Sequence, residues 1–275
     1  MYDGASPFSH QRAVGDLRVT FKRRGNETVL DDLRQAGCLK ARFPRPVTAG
    51  WADATTLNTG GGVASGDRLF SEFAVGPGAK ATVSAQAAER FYRAPPGGLP
   101  SLVRTRIDIA AGAWLEWLPQ ETILFDHCAL DRRLEINLAP DARFLSVEAL
   151  VFGRAAMGER VEEALVQDAL RVRRGGQWLL HDAVRMNGPI SAMLSRKAVA
   201  DGARAVATLV YVAPDTEAFL TPVREALGSE TGVSAWNGMI VARMLAPDSA
   251  ALRQAVSAAL NVLRAPRPLP RVWMC

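Results

Sequence analysis

Three stretches of this 275-residue chain alternate with a period of two, apolar at every second position but for Thr105 and Arg132, and that period constrains the fold more than any other feature. Leu17, Val19 and Phe21 alternate with Arg18, Thr20 and Lys22. Val103, Thr105, Ile107 and Ile109 alternate with Arg104, Arg106 and Asp108. Leu130, Arg132, Leu134, Ile136 and Leu138 alternate with Asp131, Arg133, Glu135 and Asn137. A period of two sends successive side chains to opposite faces, so each stretch reads as a half-buried strand. Further strands are predicted at Asp67–Gly76, Ala81–Gln86, Ala113–Leu118, Phe144–Phe152, Ala203–Ala213 and Asn237–Leu245, with Gly175-Gly176 as a two-residue hairpin turn.

Helical patterning comes late. Asp215 precedes Thr216–Leu227, which Gly228 stops, and Pro247-Asp248-Ser249 leads into Ala250–Arg264 with Leu252, Val256, Leu260 and Leu263 on one face. Pro266, Pro268 and Pro270 forbid further helix, which makes 265–275 an extended proline-rich tail. Residues 1–14 read as a flexible N-terminal segment. No repeat or linker divides the rest, so 15–275 reads as one mainly-β domain with two α-helices near the C-terminus.

Composition narrows function by exclusion. The apolar stretch Ala205–Ala213, interrupted only by Thr208, is far short of the roughly 20 residues a membrane helix needs. The first residues lack the pattern of a secretory signal, and three scattered cysteines (Cys38, Cys128, Cys275) form no disulfide framework, so a reducing cytoplasmic setting is expected. The formal charge of +5 is unevenly placed: residues 1–46 hold nine basic against five acidic side chains, 47–246 hold twenty against twenty-two, and 247–275 hold four against one. Short basic clusters at strand ends are the usual guard against edge pairing, and no nucleic-acid or membrane partner is expected. With three histidines and three cysteines, a tight metal cluster is disfavoured.

The candidate chemistry is sparse. In Leu57-Asn58-Thr59-Gly60-Gly61-Gly62-Val63-Ala64-Ser65-Gly66-Asp67-Arg68-Leu69, Gly61 and Gly66 have the interval of a phosphate loop, but Asp67 stands where the lysine should be and would repel a phosphate. A tight turn is the simpler reading. Glu121 and Asp126, after the break at Pro119, are paired carboxylates only if the backbone turns between them. His127 and Cys128 are adjacent, so on a strand they face opposite ways and do not form a nucleophile pair. Gly153-Arg154-Ala155-Ala156-Met157-Gly158-Glu159 reads as a compact loop. No catalytic set emerges, although a β-fold hydrolase using Cys128 stays open as an alternative.

Taken together, Leu57–Leu69, Ser84–Arg93 (SAQAAERFYR), Leu118–Asp126 (LPQETILFD), Gly153–Glu159 and the ending Leu269-Pro270-Arg271-Val272-Trp273 resemble, in that order, the motifs of the UreD (UreH) family of urease accessory proteins. The resemblance runs from about Gly15 to the C-terminus. It carries over to Asn58, Gly60, Gly61, Gly66, Asp67, Arg68, Gln86, Glu89, Arg90, Pro119, Gln120, Glu121, Asp126, Gly153, Arg154, Gly158 and Glu159. It implies an irregular multi-layer, β-helix-like fold and a non-enzymatic role. Members of the family bind the urease apoprotein, recruit UreF and through it the GTPase UreG, and assist nickel delivery. No cofactor is expected to stay bound, and nickel is an ion in transit. Asp67, Glu121, Asp126 and Glu159 fall within the motifs and are the candidates for lining a nickel path, each with an arginine ion pair as the alternative. His127-Cys128 departs from the family pattern, which has a small residue after Phe-Asp, and is a candidate extra ligand pair. A purely structural docking scaffold that never touches nickel is the alternative to a passage.

Overall fold

In the computed structural model, which describes residues 12–154, 157–229 and 231–274, the alternating segments stack into two facing sheets. The first sheet holds seven strands. Five of them run parallel: β1 (Val14–Arg24), β5 (Arg68–Val75), β8 (Ser101–Ile109), β11 (Ala129–Leu138) and β13 (Glu163–Arg174). They are bordered by two antiparallel strands, β2 (Glu27–Gly37) beside β1 and β14 (Gln177–Pro189) beside β13.

The second sheet runs from β3 (Leu39–Arg42) through β4 (Ala52–Asn58), β6 (Lys80–Ala85), β9 (Trp114–Leu118) and β12 (Arg143–Phe152). It continues into β15 (Ala205–Val212), β17 (Met239–Ala246) and β16 (Gly232–Trp236). The short strands β7 (Glu89–Phe91) and β10 (Thr122–Leu124) join it at β12. The chain therefore winds from first sheet to second and back, β5 to β6, β8 to β9 and β11 to β12, with each coil laid parallel on the last. That is the β-helix-like arrangement the family resemblance implies.

Register explains the core. Val19, Phe73, Ile107, Ile136 and Val172 are successive partners across five strands and all are buried. They face Leu115 and Phe144 of the second sheet within one apolar cluster. The outward phase of the first sheet is charged and cross-linked by Arg18–Glu72, Arg104–Asp131 and Arg171–Glu135. The second sheet is covered on both faces, so β12 reads as a nearly unbroken apolar run. Phe144, Leu150 and Phe152 turn to the first sheet, while Leu145, Val147 and Val151 turn to the helices.

Two helices form the third layer, α2 (Thr216–Leu227) and α3 (Ser249–Arg264). The predicted face of α3 is the buried one: Leu252, Val256, Leu260 and Leu263 are each at most 2% exposed, worth about 2 kcal/mol apiece against solvent exposure. Asp248 caps α3 by accepting from the Ala251 N–H at 2.9 Å. Asp215 does not cap α2. Its carboxylate is taken by Arg143 at 2.9 Å, and the stronger charged contact wins over the cap. The structure adds a short helix, α1 (Ile190–Leu194), to the two expected. It also extends the Gly175-Gly176 hairpin into two long strands, whereas the sequence showed only their tips. No helix among the described residues is long and apolar enough to cross a membrane. Residues 1–11 of the N-terminal segment, Ala155-Ala156 and Cys275 lie outside the described residues.

Candidate functional site: an inter-sheet chamber

Where the inward phase of the strands stops being apolar, the sheets part around a cavity of about 400 Å³. Leu17, Leu69 and Val103 of the first sheet and Trp117 of the second line it, with the polar groups Asn58, Glu89, Gln120, Thr122, Arg132 and Glu148. Of the family-motif residues, Asn58, Gly61, Gln86, Glu89, Arg90, Pro119 and Gln120 border this chamber, whereas Gly60, Gly66, Arg68, Gly153, Arg154 and Gly158 do not.

The glycine cluster forms part of the wall. Gly61 and Gly62 have φ of 74° and 144°, in the range that favours glycine, and a Cβ on Gly62 would lie 2.5 Å from the Tyr92 ring. Asn58 ties the loop down. Its Oδ1 accepts from the Gly60 N–H at 2.9 Å, and its Nδ2 donates to the Gly62 carbonyl at 3.1 Å and to the Glu89 carboxylate at 3.2 Å. Burial pushes the Glu89 carboxyl up to about 7, against the lowering pull of Asn58 and of the Arg90 N–H and charge.

Opposite lies an ionic crossbar. Arg132 donates bidentately to Asp168 at 2.9 and 2.6 Å, to Thr122 Oγ1 at 2.9 Å, and meets Glu148 at 2.9 Å. Glu148 also accepts from the Trp117 indole N–H at 2.7 Å. Burial raises the Glu148 pKa, and Arg132 only partly offsets this. Two carboxylates on one guanidinium leave the cluster with a negative formal charge.

The four candidate path carboxylates lie elsewhere. Asp67 is buried and braces a turn, accepting from the Ala13 and Ala64 N–H groups at 2.8 Å each, with no arginine involved. Glu121 meets Arg253 at 3.4 Å, and its backbone carbonyl accepts from the Glu89 N–H at 3.0 Å. Asp126 accepts from the Glu162 and Glu163 N–H groups at 2.8 and 3.1 Å and meets Arg93 and His127 at 3.2 Å. Burial works to raise the Asp126 pKa, but those two N–H groups and the neighbouring positive charges hold it below the usual carboxylate range. Glu159 is paired with Arg154 at 2.7 Å, which lowers its pKa, and it accepts from the Asp126 N–H. Between Glu121 and Asp126 the chain runs extended as β10 (Thr122–Leu124) and turns only at Asp126-His127, so the two are not paired, and each is separately engaged. None of the four borders the chamber.

His127 and Cys128 point apart. His127 is an exposed residue at φ 60°, and the Cys128 thiol is 1% exposed, with burial pushing its pKa up to about 12. A sealed, protonated thiol does not serve as a nucleophile or a metal ligand, which removes the support for a Cys128 hydrolase. Among the described residues no group of three or more His, Cys, Asp or Glu side chains is arranged to hold a metal ion.

The C-terminal end closes the outer side. Glu116, fully buried in β9, accepts from Thr82 at 2.9 Å and from Arg264 at 3.0 Å and is paired with Arg267. Gln120 donates to the Val272 carbonyl and accepts from Arg253, both at 2.7 Å, and the Trp273 indole donates to the Leu118 carbonyl at 3.0 Å. Motif and tail, about 150 residues apart in sequence, thus fasten one another. Sequence reading missed Glu116, Glu148, Asp168 and the role of Arg132. The signal for Arg132 was present, since it occupies the inward phase of its strand.

The family model for the UreD urease accessory protein matches residues 13–274. The chain belongs to the UreD family. It is 47% identical to the urease accessory protein UreD of Xanthobacter autotrophicus over 96% of this chain and 90% of that one. It is 45% identical to the UreD of Azorhizobium caulinodans over 96% and 97%, and 45% identical to the UreD of Sinorhizobium medicae over 98% and 99%. The family resemblance of the five motifs therefore extends to the whole domain.

Proposed function

We propose that this protein is a urease maturation factor. It docks on the urease apoprotein with UreF and, through UreF, the GTPase UreG, and nickel crosses it by way of the inter-sheet chamber. It carries out no catalysis of its own. The observation that supports a passage is the chamber, a cavity of about 400 Å³ whose polar wall has carboxylate and carboxamide groups and no assembled ligand set. Nickel(II) binds tightly to clustered imidazole and thiolate ligands. A wall of isolated oxygen donors passes the ion on instead. Asp67, Glu121, Asp126 and Glu159 act in this reading by bracing the loops that carry the wall.

The test is co-purification with urease apoprotein and UreF, with nickel-dependent activation measured with and without this chain. Val103→Trp, which fills the chamber, should keep the complex and lose activation. Normal activation by a folded, complex-forming Val103→Trp protein would refute the passage and leave the docking scaffold.

A further inference from the structure

The interior carboxylates differ in what neutralises them. Glu116 has Arg264 and Arg267, Glu148 and Asp168 share Arg132, and Asp67 has two backbone N–H donors. Of the two carboxylates that border the chamber, Glu148 has Arg132 and Glu89 has no such partner. Its carboxylate borders the chamber and receives the neutral carboxamide of Asn58 and the backbone N–H of Arg90. Among the described residues no lysine or arginine forms an ion pair with it, and the Arg90 charge acts only at a distance. Glu89 is half-buried, and a carboxylate taken partly out of water is stabilised by a cation beside it. Here the space for that cation is open, and it is open on the chamber side.

We infer that Glu89 is the point in the chamber where a hydrated divalent cation is held in passing. This rests on the passage proposed above and names the residue at which it binds. The surroundings set the binding mode. The Asn58 Oδ1 is occupied by the Gly60 N–H, the Gly61 carbonyl accepts from the Tyr92 hydroxyl at 2.6 Å, and Gln120 Oε1 accepts from Arg253. With these three oxygens engaged, the Glu89 carboxylate binds the ion directly and water fills the remaining positions. A single carboxylate ligand gives weak, rapidly exchanging binding, as cargo transfer requires. Two bonds fix Glu89 in place. Asn58 orients its carboxylate, and the Glu121 carbonyl holds its backbone N–H. The Glu121 side chain, turned to Arg253, takes no part.

The experiment is a titration of the isotope-labelled full chain with Mn²⁺ as paramagnetic probe, followed by amide NMR, and repeated with Ni²⁺. Wild type should show early broadening of the Gly61 and Gly62 amides and the Trp117 indole N–H, all of which border the chamber. Glu89→Gln, nearly identical in shape, should need at least about tenfold more metal for the same broadening. Glu121→Gln should behave as wild type. Absence of chamber broadening in wild type, equal broadening in Glu89→Gln, or an equal loss in Glu121→Gln would each overturn the inference. The two readings fail separately. A chain that binds Mn²⁺ at Glu89 but does nothing for urease activation overturns the proposed function alone. A chain that activates urease yet shows no chamber broadening overturns the Glu89 site alone.

Discussion

Glu89→Gln should make the protein more stable at neutral and alkaline pH. The Glu89 carboxyl rises from its ordinary 4.5 to about 7 in the folded chain, with burial as the main cause. The folded state therefore holds the proton more tightly than the unfolded state between these two values, and stability falls as pH rises through that window. At about 1.4 kcal/mol per pH unit, the loss reaches about 3 kcal/mol above pH 7. That figure is a ceiling, because water in the chamber returns part of the solvation. Glutamine keeps an acceptor for Asn58 and has no charge to bury. Urea unfolding of both proteins at pH 5, 6, 7 and 8 isolates the effect, since other titrating groups cancel in the difference. The variant's advantage should grow by about 2 kcal/mol from pH 5 to pH 8. A difference constant to within about 0.5 kcal/mol across that range would refute the argument that Glu89 is a partly desolvated acid without an ion-pair partner. A gain in stability accompanied by weaker metal binding would show a residue kept for its function at a cost to the fold.

Other perturbations read different parts of the structure. Glu116→Ala strips Arg264 and Arg267 of their buried partner and should cost about 3–5 kcal/mol by urea unfolding. A cost below about 1 kcal/mol would mean that the tail is held by its apolar contacts alone. Leu260→Ala opens the interface between α3 and the second sheet and should cost about 2–5 kcal/mol in the same assay. Cys128 should resist iodoacetamide at pH 8 in the folded chain and react at once in urea, as mass spectrometry would record; fast labelling without denaturant would contradict a sealed thiol. Gly62→Ala must displace the Tyr92 ring and strain a φ of 144°, so its melting temperature should fall by several degrees.

Much of the fold was legible in the sequence, because strand alternation and the apolar stripe of α3 are local signals. The strands that escaped reading show the limit. β2 is mostly exposed at the edge of the first sheet, so Glu27–Gly37 carries little alternation. β7 and β10 have three residues each, too few to display a period, and are held by parallel pairing with each other and with β12. The family motifs pointed to the right loops, but residue type does not say which side chain a loop turns inward. Among acids in one motif, Glu121 faces an arginine on α3; Glu89, in another, faces the chamber.

The chamber follows from register, and no local pattern contains it. One step along the five parallel strands, Val19, Phe73, Ile107, Ile136 and Val172 close the inter-sheet space with apolar bulk. Two residues nearer the strand starts, the partners are Leu17, Ser71, Thr105, Leu134 and Leu170. Two more bring Gly15, Leu69, Val103, Arg132 and Asp168 into line. Bulk thus falls and polarity rises toward one end of the same inward face. An arginine at the inward phase cannot pack against an opposing apolar layer; it needs carboxylates, and Asp168 meets it from the neighbouring strand β13 and Glu148 from β12 of the facing sheet. Polar side chains held apart by their own ion pairs leave a volume that apolar side chains would have filled, and Glu89 and Asn58 border it from the second sheet. The opening between the sheets is therefore built by the register that packs the core, which makes Arg132 its keystone. Arg132→Met should draw the walls together, shrink the chamber and abolish metal-dependent broadening at Gly61 while leaving the Glu89 side chain intact. Unchanged broadening in that folded variant would show that the chamber stands without the crossbar.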